Sequence, residues 1–261
     1  VEALTESDGI AMPYTPEAEM ILTESTRAYD IGEVYKAQFQ FETTGKIEYI
    51  KESVDMDTLA IYDGAGFLTL YDVEKREVIE IIGAEEYDSF GSYGFTFLGE
   101  DKFVYINIDG NACVYDLETG SVSKKLEEDI FQVDADMRGN YLLLQGYDDC
   151  YQVYDGNTLE KLGTTPVMPS DMSGAYQFVS SEGILADVTI ALEEGSSTYN
   201  LFFVDLNTME LLAEYPIGNK VPEEMQVKEG IAYLLLGEYI QGYMDCNTHV
   251  VAPSVTGGEV L

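Results

Sequence analysis

Two hundred and sixty-one residues, 46% hydrophobic and 24% charged, have the composition of a folded globular chain and exclude disorder throughout. Thirteen Lys and Arg against forty-nine Asp and Glu leave a formal net charge of −36. That charge repels phosphate backbones and anionic lipid heads and excludes a nucleic-acid binder. No apolar run reaches the roughly 18 to 20 residues of a membrane-spanning helix, so direct membrane insertion of this segment is not expected.

From Val1 to Thr26 there are six acidic residues, no basic one, and the prolines Pro13 and Pro16. Residues 1–26 therefore read as an acidic lead-in or linker, in which Glu19 to Ser25 can supply one strand. Thereafter a unit recurs. AYDIGEV from Ala28, LYDVEKREV from Leu70 and VYDLETGSV from Val114 are followed by VYDGNTLEK from Val153, FVDLNTMEL from Phe203 and YMDCNTHVV from Tyr243. The marker aspartates are Asp30, Asp72, Asp116, Asp155, Asp205 and Asp245, at intervals of 42, 44, 39, 50 and 40 residues. A period of this size is the mark of a repeat architecture.

Upstream of each marker lie two short runs rich in Leu, Val, Ile, Tyr and Phe, joined by Asp63-Gly64, Asp109-Gly110 or the Gly146 to Asp149 stretch. Each pair reads as a hairpin. The tip between the runs of the fifth unit is a longer excursion, Glu193 to Tyr199. Downstream of the marker the chain passes through Thr119-Gly120, Asn157-Thr158, Asn207-Thr208 or Asn247-Thr248 before an apolar run resumes. An Asp opening such a turn accepts hydrogen bonds from N–H groups two or three residues on, so the repeated Asp is expected to close turns rather than to catalyse. A further strand precedes each hairpin: Tyr93 to Gly99, Ile130 to Asp136, Ala175 to Ser181 and Glu224 to Gly230.

Four short antiparallel strands per unit, with no sustained 3.6-residue period anywhere, predict an all-β chain of small sheets. Such sheets bury both faces only by stacking around an axis, which is a β-propeller. Residues 27–255 are expected to form it and residues 256–261 a C-terminal tail. Six blades fit the six markers, with five complete blades and one partial blade as the alternative.

The apolar strand ending in Asp, followed by a Thr or Thr-Gly turn and another strand, resembles the WD-repeat, YVTN and quinoprotein alcohol dehydrogenase-like propellers, most clearly in VYDLETGSV. The resemblance covers Arg27 to Val255. It implies the scaffold and leaves activity open, because propellers serve as adaptors, sensors, binders and enzymes. With no Trp in the chain, the Trp-Asp dipeptide of WD repeats is replaced by Tyr-Asp, Val-Asp or Met-Asp. The Trp and vicinal Cys pair with which quinoprotein dehydrogenases hold their cofactor have no counterpart either, so the resemblance implies no redox chemistry.

Propeller ligands bind where loops gather at one mouth of the central channel. The candidate binding residues there are Tyr87, Asp88 and Tyr93 from a blade junction, with Asp109, Asn111, Tyr147, Asp148 and Asp149 from hairpin tips. Exposed tyrosines beside carboxylates suit a cationic peptide or a sugar. No cofactor or metal is expected. Asp134-x-Asp136-x-Arg138-Gly139-Asn140 opens like a calcium loop but places Arg138 where a third carboxylate should stand. Cys113, Cys150 and Cys246 lack metal-ligand spacing and read as buried free thiols, and His249 reads as a turn residue.

The expected function is a non-catalytic binding or sensing module for a protein, peptide or glycan, in an extracytoplasmic or cell-surface part of a larger bacterial protein. Two alternatives stand beside it. One is a carbohydrate hydrolase with a carboxylate pair at the channel mouth, the other an intracellular interaction scaffold.

Overall fold

The computed structural model describes residues 43–83, 94–148, 150–166, 172–193, 196–240 and 243–254. Contacts divide the chain into residues 1–42 and residues 43–261, and every described strand belongs to the second part. The unit around Asp30 lies outside the described residues.

Nineteen strands and no helix are found among the described residues. The first sheet holds β1 (Ile47–Glu52), β2 (Thr58–Asp63), β3 (Leu68–Asp72) and β4 (Glu77–Ile82). The second holds β5 (Phe95–Leu98), β6 (Lys102–Ile106), β7 (Ala112–Asp116) and β8 (Ser121–Lys125). The third holds β9 (Ile130–Ala135), β10 (Tyr141–Gly146), β11 (Tyr151–Asp155) and β12 (Lys161–Thr164). The fourth holds β13 (Met172–Val179), β14 (Ile184–Glu193), β15 (Ser196–Asp205) and β16 (Glu210–Gly218). The fifth has three described strands, β17 (Val221–Lys228), β18 (Ile231–Ile240) and β19 (Tyr243–Val251). Each sheet is an antiparallel meander in which strands pair in sequence order.

The strands follow the sequence pattern. The four runs expected to precede hairpins are β5, β9, β13 and β17, the first strand of their sheets. The marker aspartates Asp72, Asp116, Asp155 and Asp205 each end the third strand of a sheet. Their carboxylates accept the backbone N–H of Lys75 at 2.7 Å, Thr119 at 2.7 Å, Thr158 at 2.8 Å and Asn207 at 2.8 Å, the predicted turn closure. Side-chain or backbone hydrogen bonds of these turns hold all four carboxyls below the usual Asp range. A carboxyl shifted this way stabilises the fold above its unfolded pKa and stops doing so as the solution is acidified through its folded one.

Two regularities were not visible in the residues. The pairing of third and fourth strands shifts register at the same step in every four-stranded sheet: Leu70/Tyr71, Val114/Tyr115, Val153/Tyr154 and Phe203/Val204. Four residues after each marker the backbone also turns left-handed, at Arg76, Gly120, Leu159 and Met209. Only one of these four is the glycine that such a conformation favours.

Two turn assignments are corrected. Ser196 to Tyr199 are paired strand and not part of an excursion, because Glu193 pairs with Ser196 and Ile190 with Tyr199. Asn247-Thr248 lies within β19, where His249 pairs with Leu236 and Asp245 with Glu238. The extra residues between those pairs are absorbed by a bulge. Asn247 and Thr248 fall among the three residues that this irregularity leaves without a registered β18 partner, so the local turn preference appears as a bulge within β19 instead of ending the strand.

The sheets stack through four apolar clusters, one at each successive interface. Strand periodicity of two supplies both sides of a sheet from one run of residues. Along β6, Phe103 and Tyr105 pack toward the first sheet while Val104 and Ile106 pack toward the third. Along β10, Leu142 and Leu144 pack toward the second sheet and Leu143 toward the fourth. In the fourth sheet Leu185, Phe202 and Val204 face the third, and Ala186, Val188, Leu201 and Phe203 face the fifth. The tyrosine of the Tyr-Asp marker ties neighbours together. Tyr154 Oη donates to Glu127 at 2.7 Å, and Tyr115 Oη reaches Glu80 of the preceding sheet at 3.5 Å.

Phe103 is fully buried, with ring centroids of Phe97 at 5.1 Å, Phe95 at 6.0 Å and Tyr105 at 6.4 Å. Phe103→Ala is expected to cost about 3–5 kcal/mol in urea unfolding. Val122→Ala, on the outer strand β8, is expected to cost less than about 0.5 kcal/mol. Equal effects would show that the faces between sheets do not carry the stability.

Candidate functional site

A meander gives each sheet two ends. Turns between the second and third strands lie at one end, and turns between the first and second at the other. Four of the predicted binding residues are described and lie at the first of these ends. Asp109 and Asn111 sit on the β6–β7 turn, Tyr147 and Asp148 on the β10–β11 turn. Tyr87, Asp88, Tyr93 and Asp149 lie outside the described residues.

The turn residues behave as their chemistry dictates. Asn107 Oδ1 accepts from the backbone N–H of Asn111 at 2.8 Å and of Asp109 at 3.2 Å, and from Asn111 Nδ2 at 3.2 Å. Asn111 is thereby engaged in its own turn, while the Asp109 side chain is left on the exposed side. Asp63, at the matching position of the first sheet, is 2% exposed and accepts the N–H of Gly45, Ala65 and Phe67. Burial pushes its carboxyl up, but these bonds outweigh it and hold the group below the usual range. Asp63 has no surface left to offer a ligand.

The strand-two-to-three turns of the second and third sheets meet through the segment before β9. Ile130 N donates to Gly110 O at 2.9 Å, and the carbonyl of Asp129 lies against Gly146. This brings Tyr147, 74% exposed, over Phe131 with ring centroids 5.2 Å apart. Ile108, Asp109, Glu128, Asp129 and Asp148 complete an exposed surface of aromatic rings among carboxylates. Phe131, Glu128 and Asp129 were not singled out from the sequence. The only sign of them was their place between two tips, which matters once the sheets are stacked.

At the opposite end, Ser53, Asp136 and Ser180 close the strand-one-to-two turns of the first, third and fourth sheets. Ser53 Oγ accepts Thr58 N at 2.9 Å, Asp136 Oδ1 accepts Tyr141 N at 2.6 Å, and Ser180 Oγ accepts Ile184 N at 3.1 Å. Backbone bonds fasten these turns to the marker turns: Val73 to Asp57, Leu117 to Asp101, Gly156 to Asn140 and Leu206 to Gly183. At Gly139, whose φ is +71°, any Cβ would strike the backbone of Gly99 in the neighbouring turn. The stretch that opens like a calcium loop is thus the end of β9, with Asp134, followed by a tight turn from Asp136 to Asn140 packed against another blade.

Three cavities open at this end. One of about 580 Å³ runs along the third, fourth and fifth sheets and is lined by Arg138, Phe178, Glu182 and Lys228 among others. A second of about 490 Å³ spans the first three sheets, from Ile50 to Phe97 and Asp136. A third of about 320 Å³ lies between Gly99–Lys102 and Gly139. Met137 lines all three. None of the four described candidate residues lines any of these cavities.

Charge is also buried along the inner strands. Lys51 Nζ donates to Phe95 O at 2.6 Å and stands 5.1 Å from the centre of the Phe95 ring. Burial lowers its pKa, and the carboxylate of Asp134 works against that shift. Asp134 is only partly withdrawn from solvent yet surrounded by protein, as befits a group on an inner strand. Desolvation raises its carboxyl to about 6 and the nearby Asp136 adds to the rise, while Lys51 and the Ala135 N–H oppose it. A carboxyl whose folded pKa lies above its unfolded value makes the fold lose stability as pH rises between the two. Asp134→Asn therefore melts like the parent near pH 4 and at a higher temperature above pH 7. A variant that melts lower than the parent at both pH values would contradict this electrostatic assignment.

No protein-family model matches the sequence, and no curated protein matches it. Solved structures do. A chain of the Mitotic Checkpoint Complex is similar over 84% of this chain and 71% of its own, with 12% identity and a TM-score of 0.57. The β-propeller domain of Cps50 (Swd1) from Myceliophteria thermophila is similar over 77% of this chain and 67% of its own, with 13% identity and a TM-score of 0.54. The WD40 domain of Toxoplasma gondii coronin is similar over 77% of this chain and 57% of its own, with 12% identity and a TM-score of 0.54. The chain thus spans between 57% and 71% of the length of these solved chains. At such identities the likeness is one of fold, and the fold is a β-propeller built of four-stranded antiparallel blades.

Proposed function

We propose that the chain is a non-catalytic binding module that docks a cationic segment of a protein or peptide on its strand-two-to-three end. The observation that carries this reading is the exposed Tyr147 ring packed on the half-buried Phe131, with the exposed Asp109, Glu128, Asp129 and Asp148 on the adjoining tips and the segment before β9. An exposed phenol face attracts a Lys or Arg head, and carboxylates beside it accept charge-assisted hydrogen bonds. A net charge of −36 steers cationic partners toward such a surface. One structural neighbour belongs to the Mitotic Checkpoint Complex, which supports treating the scaffold as a docking platform. The setting proposed for the module is extracytoplasmic, at a cell surface, on the strength of the acidic composition.

A carbohydrate hydrolase is the competing reading, and one feature speaks for it: the carboxyl of Asp134 at about 6 beside Asp136. Asp136, however, spends both oxygens on the N–H groups of Tyr141 and Arg138. It does the work that Ser53 and Ser180 do in other sheets. A turn closer of this kind is not free to activate a water or attack a sugar.

The test uses a labelled lysine-rich peptide and the variant Tyr147→Ala, which changes no charge. Loss of a cation–π contact of about 1 kcal/mol weakens binding about fivefold. Unchanged affinity in Tyr147→Ala, with the same dependence on salt as the parent, would reduce the binding to diffuse attraction and overturn the assignment.

A further inference from the structure

We propose that the strand-one-to-two end is a second, separate docking site, for a peptide in which a large apolar side chain stands within a residue or two of a carboxylate. The proposal is independent of the cationic ligand assigned to the other end.

The apolar half of the argument is the 490 Å³ cavity across the first three sheets. Ile50, Val54, Met56 and Met137 line it and are 55%, 40%, 63% and 71% exposed. A chain this heavily charged has little reason to gather four such side chains around one hollow unless another surface covers them. Two of the four are methionines, whose unbranched thioethers adapt to the shape of whatever enters. Several exposed aliphatic residues elsewhere, Val122 on β8 and Leu162 on β12 among them, are scattered along outer strands and do not line a cavity of this kind.

The charged half is the 580 Å³ cavity, which begins at the same Met137 and continues through Arg138 to Lys228. The chain has only thirteen basic residues, and two of them meet here. Neither the Arg138 guanidinium nor the Lys228 ammonium has an ion-pair partner among the described residues. The nearby acids are partly occupied. Glu182 accepts the Ser181 hydroxyl at 3.2 Å, Asp136 accepts backbone N–H groups, and Glu229 remains beside Lys228. A ligand carboxylate would find the Arg138 guanidinium, which can bind it in a two-pronged geometry, and the Lys228 ammonium from the fifth sheet in the lining of the same cavity.

What fixes the ligand is the junction. Met137 and Arg138 are consecutive residues of one turn, so the apolar hollow and the Arg138 side of the second cavity meet within the span of about one residue, roughly 3.5 Å of extended chain. A purely apolar ligand would leave Arg138 and Lys228 without a partner. An apolar residue adjoining Asp, Glu or a free C-terminal carboxylate satisfies both halves.

A displayed library of random dodecapeptides, selected on the full chain and counter-selected on the Met137→Asp variant, tests this directly. The selected pool is expected to carry an apolar residue next to an acid. A synthetic peptide from it should bind about tenfold more weakly to the double variant Arg138→Gln, Lys228→Gln. Replacing its acid by the amide should cost the same and leave nothing further for the double variant to remove. Met137→Leu should keep the affinity, which separates lost contact from lost fold, and Tyr147→Ala should leave it untouched. A pool without acidic residues, no enrichment at all, or equal binding to the parent and the double variant would overturn the proposal.

Discussion

Each middle sheet of this protein is apolar on both faces, and that is the constraint from which the rest follows. A strand alternates its side chains between the two faces, so β6 can pack Phe103 one way and Val104 the other only if a neighbouring sheet covers each side. A sheet of four short strands has too little inside of its own to repay the entropy of ordering it. Stacking resolves this: the four apolar clusters lie between sheets, and the outer strands β8 and β12 are left mostly exposed. Many acidic residues then lie on turns, edges and outer strands, where water screens them, while Asp63, Asp136 and Asp187 are buried.

The same repetition governs the turns. An Asp at the end of a third strand, a register shift one step before it and a left-handed residue four steps after it recur in all four complete sheets. Together they reverse the chain in a form that leaves the marker turn bonded to the strand-one-to-two turn of its own blade. One end of the molecule is therefore knitted by backbone bonds and lined by small, conformationally demanding residues such as Gly99, Gly139 and Gly156. The other carries freer tips, among them Tyr147 and Asp148. The two ends differ in what they can offer a partner: a set of preformed hollows on one side, an open aromatic and acidic surface on the other.

Much of the fold could be read from the residues, because period, turn chemistry and apolar alternation all point the same way. The markers Asp72, Asp116, Asp155 and Asp205 could be understood as turn closers without coordinates, since an Asx turn is a local event. The tyrosine beside them could not. Tyr154 reaches Glu127 and Tyr115 reaches Glu80 across a blade boundary, and no local rule predicts a partner 27 or 35 residues away. At Asn247-Thr248 the local preference shows as a bulge inside β19 instead of a strand end, and at Ser196 to Tyr199 the expected excursion is paired strand. Of the binding surface, Tyr147, Asp148 and Asp109 were legible as exposed tips, but Phe131 and Asp129 belong to it only through stacking. The hollows around Met137 are invisible in the sequence for the same reason: they are lined from as many as three sheets.

The most direct measurement is on a single blade removed from its neighbours. A peptide of residues 94–126, carrying β5 to β8, holds every hydrogen bond internal to its sheet but neither of the surfaces that seal it. If sealing by adjacent sheets is what makes these strands stable, the peptide shows no cooperative unfolding transition by circular dichroism and no protected amides in hydrogen exchange. A fragment that folds by itself, with a sharp melting transition and protected amides in β6 and β7, would contradict the account.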